Sequence, residues 1–515
     1  MKGFQDNEFI ETDWLKRWDL YSPHKVAIQD GETGRKFTYS EFYHRALAAA
    51  VFLKKEFNIQ KGDRVAVLST NELEHLFLFY GLQRLGAVLV PINFRLTERE
   101  LDHIFSDSRP SLVLFQTEFS DVVNKFSAKY DFKTLSFVGV GNGKTFSGCI
   151  ETIVKNTTKS DLLTQSEFVA SFEEDLMILY TSGTTGSPKG AVLTHKSVYW
   201  NSINTSMSLN LTSDECAVIF LPFFHTGGWN VLTTPIIHRG GRLIFIKKFD
   251  AAMILNLSAQ ERVTLLFAVP TTMDMMAQRS EFKSINLNSI RYAIVGGEPM
   301  PLDLIQTWHD KGIPVRQGYG LTEFGPNVFS LPQADSMRKI GSIGFPNFYI
   351  DVDVRDENDR SCADHEVGEL VLRGPMCMRG YWKNEKATNE TIQNGWLRTG
   401  DLVKRDEEGY YFVVGRKKDM FISGAENVYP VEIEQVLRLN PAVKECAVIG
   451  VPDEKWGEVG KAFIVLENNI EDAESVLRDW CIQNLAKYKV PKYFQFLSEL
   501  PKGDSGKILK RNLPK

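Results

Sequence analysis

The 515-residue chain shows little excess of charge of either sign. Its 60 Lys and Arg against 65 Asp and Glu leave a formal net charge of −5, so there is no global basic field and nucleic acid is disfavoured as a partner. Paired cysteines are missing too. Cys149, Cys216, Cys362, Cys377, Cys446 and Cys481 form no C-x-x-C and have no histidine cluster beside them. That removes the usual zinc spacings and any disulfide framework, and points to a reducing cytoplasm. No run approaches the ~20 apolar residues that span a bilayer, so no membrane span is expected, and only peripheral association stays open. The amino end, MKGFQDNEFIETDWLKRW, carries acids and amides where a signal peptide needs an unbroken apolar stretch. The last residues, KGDSGKILKRNLPK, are basic and read as a solvated end lacking the Ser-Lys-Leu address. Internal repeats and low-complexity tracts are also lacking.

What is present is ordinary globular material, 43% hydrophobic and 24% charged. The length exceeds what one core supports, so roughly two to four domains are expected. Short apolar runs bounded by polar turns read as buried strands: 64–70, 112–115, 176–180, 217–221, 242–246, 264–270 and 291–297. Stretches of helical length lie between many of them. One is NELEHLFLFYGLQRLG (71–86), with apolar residues at three- and four-residue spacing and Gly86 as a stop. This alternation predicts α/β layers with largely parallel sheets. From about residue 338 the texture changes to period-two alternation with Gly and Asp turns, in DVDVRDENDR, GELVLRG and YYFVVGRKKD, which predicts a small antiparallel β unit. The charged GRKKD stretch then precedes another α/β segment, and a hinge is placed there.

The segment LYTSGTTGSPKGAVLTH (179–195) holds three glycines and four threonines between two apolar runs. Small residues let backbone N–H groups converge on an anion, hydroxyls add donors, and Lys189 adds a point charge. Thr194 or Ser197 can cap a helix beyond it. A polyphosphate is the natural guest, yet no glycine pair frames a Gly-Lys-Ser/Thr end, so this is not the P-loop of NTPases.

The segment resembles the phosphate loop of the adenylate-forming enzymes: acyl-CoA synthetases, peptide-synthetase adenylation domains and luciferases, with bacterial fatty-acid–CoA ligases nearest. Further stretches match in the same order: LPFFHTGG (221–228), VGGEPMP (295–301), QGYGLTE (317–323), GELVLRGPMCMRGYW (368–382), GWLRTGDL (395–402), GRKKDMFISGAENVYPVEIE (415–434) and PKGDSGKILKR (501–511). The resemblance implies a large N-terminal domain of layered α/β subdomains with a small β-barrel-like unit (1–414). A hinge at 415–418 and a small mobile α+β C-terminal domain (419–515) follow. It also implies ATP, Mg²⁺ and CoA as cofactor and co-substrates, with a small carboxylic acid as the activated partner and a monomer or homodimer as the assembly.

Two half-reactions are implied. A carboxylate attacks the α-phosphate of ATP to give acyl-adenylate and pyrophosphate, and a thiol then displaces AMP. The first brings an anion to a polyanion, so neutralisation and in-line positioning dominate. By resemblance, Thr181, Ser182, Gly183, Thr184, Thr185 and Lys189 cradle phosphates. Thr181 and Glu323 are the Mg²⁺ partners, and Thr322 lies near the α-phosphate. Gly296, Gly297, Glu298 and Pro299 suit the adenine edge with their open backbone, Tyr319 offers a flat face for the purine, and Gln317 and Gly318 belong to the same nucleotide site. Asp401 accepts from the ribose hydroxyls with Arg416 beside it. Lys507 offsets the repulsion between substrate carboxylate and α-phosphate, and Lys418 is the pivot. Rotation then replaces Lys507 by the thiol-facing stretch with Ser423, Gly424 and Glu426. Ile422 and Ala425 depart from the pattern, where many relatives carry lysine and glycine.

The acid pocket is expected at 225–233, around 294–300 and at 317–322. His225 heads it, Gly227 and Gly228 leave room, and Trp229 either stands where some long-chain fatty-acyl synthetases keep a gating tryptophan or is simply buried. No Lys or Arg lies within 225–233, so an apolar tail is expected. A medium- or long-chain fatty acid leads, ahead of an aryl acid of the cinnamate or benzoate type. Loading of a separate carrier protein is the alternative thiol-acceptor reading.

Overall fold

The computed structural model describes residues 12–138, 144–181, 188–297, 300–423, 426–468, 470–502 and 508–514. Among these, strands assemble into four sheets. The seven-stranded sheet has a parallel core of Asp175–Thr181, Val88–Ile92, Arg64–Leu68, Leu112–Phe115 and Lys133–Ser136. The nine-stranded sheet has a parallel core of Val26–Asp30, Arg242–Phe245, Cys216–Ile219, Leu265–Ala268, Tyr292–Val295 and Val315–Leu321. Each of the seven apolar runs read from the sequence is a strand of one of these two sheets. Their continuous apolar character follows from helices covering both faces.

The expected helix forms as Glu74–Leu85, and Gly86 ends it in the left-handed conformation at φ 64°. It packs on helix Tyr39–Phe57 so closely that a Cβ at Gly81 would stand 2.8 Å from the Ala49 side chain. The alanine run 48–50 permits that approach and is fully buried.

The later texture change is real. Asp351–Arg355, Gly368–Arg373, Ile392–Gln393, Trp396–Arg405 and Tyr411–Arg416 form an antiparallel sheet. Between 416 and 421 the chain passes into the fourth sheet. There Phe421–Ser423, Glu426–Val428, Val443–Asp453, Gly457–Leu466 and Tyr493–Phe496 pack against helices Pro430–Arg438 and Ala473–Asn484. This region has its own apolar core around Phe421, Ile433, Leu437, Val448, Ile464 and Leu477. Among the described residues no helix is long and apolar enough to cross a membrane.

Candidate active site

The glycine–threonine segment is flanked by two antiparallel strands, Asp175–Thr181 and Lys189–Thr194, with Thr181 opposite Lys189. A strand, not a helix, therefore follows it directly, unlike the NTPase loop. The helix begins one strand later, at His195. Both cap candidates are used in a reciprocal box: Thr194 Oγ1 accepts from the Ser197 N–H at 3.1 Å and Ser197 Oγ accepts from the Thr194 N–H at 3.3 Å. Ser182, Gly183, Thr184 and Thr185 lie outside the described residues.

At the mouth of this strand pair, Thr181 Oγ1 donates to Glu323 Oε1 at 3.3 Å. Glu323 sits in a single 3₁₀ turn, Thr322–Phe324, whose Glu323 carbonyl accepts from the Met378 N–H at 2.8 Å. Thr322 opens that turn and is half-buried. A residue that the sequence left without a role joins them. Tyr381 donates its hydroxyl to Glu323 Oε1 at 2.9 Å, and the Lys189 ammonium stands 5.2 Å over the same ring. Burial and then the Glu323 charge push the Tyr381 hydroxyl well above the usual phenol range, so it stays a donor. Tyr381 lies opposite Ala191 across a two-residue strand, Gly380–Tyr381. Only the matched stretch GYW could have flagged it, because nothing in its spacing indicates a partner 58 residues away.

This donor set suits a hard divalent cation held chiefly by phosphate oxygens. It offers one carboxylate and one hydroxyl, and among the described residues no cluster of three or more His, Cys, Asp or Glu could hold a metal alone.

A second cluster lies along strand Val315–Leu321. Tyr319 donates its hydroxyl to Asp401 Oδ2 at 2.6 Å, and Arg416 Nε donates to Asp401 Oδ1 at 2.9 Å. Asp401 and Arg416 are opposite each other in the antiparallel sheet. Asp401 is buried while Arg416 is exposed, so the carboxylate is fixed and the guanidinium is not. The Tyr319 ring meets Phe329 edge-on at 5.9 Å. Gln317 stands opposite Val295, its Oε1 accepts from the Met300 N–H at 3.2 Å, and its buried amide nitrogen has no partner among the described residues. Gly318 pairs with Ser330. Gly297 takes φ +87°, which favours glycine. Glu298 and Pro299 lie outside the described residues.

On the acyl side the chain makes one π-helical turn, Gly227–Val231, a form that recurs at functional sites. His225 is exposed just ahead of it, with its ring 4.5 Å from Phe224. Here one open choice, Trp229 as gate or as core, is decided and one expectation, room at Gly228, is corrected. Trp229 is fully buried, donates its indole N–H to the Phe223 carbonyl at 2.6 Å, and packs on Phe223 and Phe79 at 4.2 and 4.9 Å. It is core, not a gate, because both its polar atom and its faces are satisfied inside. Gly228 does not leave room: a Cβ there would stand 2.4 Å from the Pro222 carbonyl oxygen. Gly227 is less crowded: a Cβ there would rest in ordinary van der Waals contact with the Phe267 ring, at 3.5 Å. A Cβ at Gly296 would stand 3.9 Å from the same ring. Phe267, on strand Leu265–Ala268, lines an apolar recess with Leu221, Gly227 and Leu232. The sequence showed the strand but not which face the slot uses.

Lys418 is exposed in the turn after Arg416, where the Asp419 and Met420 N–H groups both donate to the Arg416 carbonyl. Ser423 is buried, opposite Gly457 and Glu426, and Glu426 is exposed. Gly424 and Ala425 lie outside the described residues, as does Lys507. Its described neighbours form an antiparallel bridge, Lys502 with Ile508, and the Leu509 N–H donates to the Pro501 carbonyl at 2.8 Å.

A carboxylate, a hydroxyl and an ammonium meet beside one sheet, and a buried carboxylate held by Tyr319 and Arg416 stands beside another, an arrangement that fits an AMP-forming acid–thiol ligase. The chain belongs to the AMP-binding enzyme family, which it matches over residues 15–382, with the AMP-binding enzyme C-terminal domain matched over 432–507. It is 39% identical over 497 residues to a feruloyl-CoA synthase of Amycolatopsis sp, covering 96% of this chain and 97% of that one. It is 38% identical over 500 residues to a long-chain-fatty-acid–CoA ligase of Mycobacterium tuberculosis, covering 96% of each. It also superposes on the o-succinylbenzoate coenzyme A synthetase of Bacillus subtilis in complex with ATP and magnesium ion. That likeness has a TM-score of 0.84 at 30% identity and covers 97% of this chain and 99% of that one.

Proposed function

We propose that this ATP-dependent ligase activates a flat, apolar monocarboxylic acid of aryl type as its adenylate and passes the acyl group to CoA. The observation that carries the acid class is the Phe267 ring, which a Cβ at Gly227 or at Gly296 would touch at 3.5 or 3.9 Å, together with the lack of any Lys or Arg in 225–233. An aromatic wall beside two glycines suits a planar group. A fatty acid, the leading expectation from sequence, is the second reading, favoured by the similarity to the mycobacterial ligase.

In this reading Lys189 and the preceding segment neutralise the β- and γ-phosphates, and Thr181 and Glu323 hold Mg²⁺. The ion, when bound, supplies charge neutralisation at the phosphates. Tyr381 holds Glu323 toward Thr181 through its hydroxyl. Asp401, fixed by Tyr319, accepts from the ribose hydroxyls, and Gln317 and Gly297 border the adenine. Lys507 meets the acid carboxylate during adenylation. The passage at 416–421 serves as the hinge, and the stretch from Ser423 to Glu426 faces the thiol. A cytoplasmic location fits the six cysteines, all of them unpaired.

A pyrophosphate-release screen over ferulate, benzoate, dodecanoate and palmitate, with and without CoA, tests this. Release with ferulate or benzoate, and acyl-CoA only when CoA is present, is expected. Exclusive turnover of palmitate would overturn the aryl assignment, and release without any CoA-dependent product would overturn the acceptor.

A further inference from the structure

We propose that Asn71 is a positioning residue for the acid substrate, acting through the segment that carries His225 and Gly227; this rests on the acyl-slot reading above. Asn71 lies between strand Arg64–Leu68 of the seven-stranded sheet and helix Glu74–Leu85, and it is buried. Its side chain reaches the other large sheet. Nδ2 donates to the Leu221 carbonyl at 2.9 Å, and Oδ1 accepts from the Phe223 N–H at 3.0 Å. One carboxamide thus offers a donor and an acceptor to one stretch of backbone, as a neighbouring strand would.

The clamped stretch continues into the slot. The Phe223 carbonyl accepts the Trp229 indole N–H, the His225 N–H donates to the Pro222 carbonyl at 3.1 Å, and the Gly228 N–H donates to the His225 carbonyl at 3.0 Å. Fixing residues 221 and 223 therefore fixes the base of the turn on which His225 and Gly227 stand. Leaving both backbone groups buried and unpaired would cost far more than the two bonds themselves contribute, so the loop would move to recover partners. The slot between Gly227 and Phe267 would change shape, whereas among the described residues no hydrogen bond joins Asn71 to the cluster at Tyr319, Asp401 and Arg416.

Gln116 supplies the control. It bonds the Thr70 N–H and hydroxyl at 2.9 and 3.0 Å and Glu72 Oε1 at 2.8 Å in the same joint, and among the described residues no hydrogen bond of its own reaches 221–231.

The test compares full-length Asn71→Ala, Asn71→Leu and Gln116→Ala. In the ligand-free protein, amide exchange across 221–231 should quicken at least tenfold in both Asn71 variants and stay unchanged in Gln116→Ala. With ferulate as probe, the acid KM should rise at least tenfold while the ATP KM stays within twofold. Unchanged exchange across 221–231, acid and ATP KM rising together, or the same KM split in Gln116→Ala would each overturn the proposal. If Asn71→Ala does not fold, the volume-keeping Asn71→Leu decides alone. Should the wild type turn over neither aryl nor fatty acids, the functional reading fails, and the exchange measurement still judges the clamp.

Discussion

Replacing Asp401 by asparagine should separate nucleotide affinity from fold. Its two oxygens each already accept one bond, from Tyr319 at 2.6 Å and from Arg416 at 2.9 Å. A carboxylate has about four lone-pair sites, which leaves roughly two for the ribose hydroxyls. Asparagine keeps one acceptor oxygen, enough for Tyr319, and turns the other position into a donor. The variant therefore loses one charge-assisted bond to ATP, worth about 1.5–3 kcal/mol, or roughly 10- to 100-fold in affinity. Stability should change little, because the Arg416 side chain is 46% exposed and such ion pairs contribute under about 1 kcal/mol. Titration calorimetry with ATP and with 3′-deoxy-ATP, acid absent, reads the effect. The wild type should prefer ATP, and Asp401→Asn should bind both nucleotides alike. If the variant kept the full preference for ATP, Asp401 would not contact the ribose and the second cluster would need another occupant.

Other perturbations address other links in the argument. Tyr381→Phe keeps the ring beneath Lys189 but removes the hydroxyl on Glu323; turnover should fall about tenfold and half-saturating magnesium should rise, at unchanged melting temperature. Equal defects in Tyr381→Phe and Tyr381→Leu would assign the residue to packing alone. Lys507→Ala should abolish acyl-adenylate formation yet retain thioester formation from supplied acyl-adenylate, and equal loss of both steps would remove its assigned role. Phe267→Ala should shift the preferred acid toward bulkier ones, a shift visible as a changed rank order in the pyrophosphate screen; an unchanged order would place the slot elsewhere. Acid should destabilise the fold: burial lowers His75 and His195 to about 4 and His238 to about 3. All three stay neutral when folded, while the unfolded chain takes up protons below about 6.5. Their stabilisation is present above that value and fades as pH falls toward 4, by about 2 kcal/mol per imidazole at pH 5. Chemical unfolding midpoints that stayed flat from pH 7 to 5 would contradict this.

The two parallel cores were legible because strands covered on both faces must be apolar throughout; a run such as RYAIVGG could also be a core helix segment, and its shortness and flanking turn residues favour the strand. Gly86 was legible for a local reason, the left-handed turn it ends. Local signals failed where contacts are long-range. Tyr381 meets Glu323 across 58 residues and Asn71 meets Leu221 across 150, and no periodicity records such pairings. Trp229 shows the opposite failure. A tryptophan in a substrate-facing segment invites a functional reading, but a π-helical turn points its indole inward, which the order of residues alone does not dictate. Ser182 to Thr185, Glu298, Pro299, Gly424 and Lys507 were named from resemblance and remain proposals on that ground.

The inward indole at 229 has a practical consequence for anyone wishing to retune this ligase. It bridges Phe79, a residue of helix Glu74–Leu85, and Phe223, at the base of the loop proposed to line the acid slot, so it works like a keystone between two masonry courses. Trimming it to admit a larger acid would loosen the joint before it widened the chamber. Libraries aimed at new substrates do better to vary the wall at 267 and the small residue at 227, leaving the keystone in place.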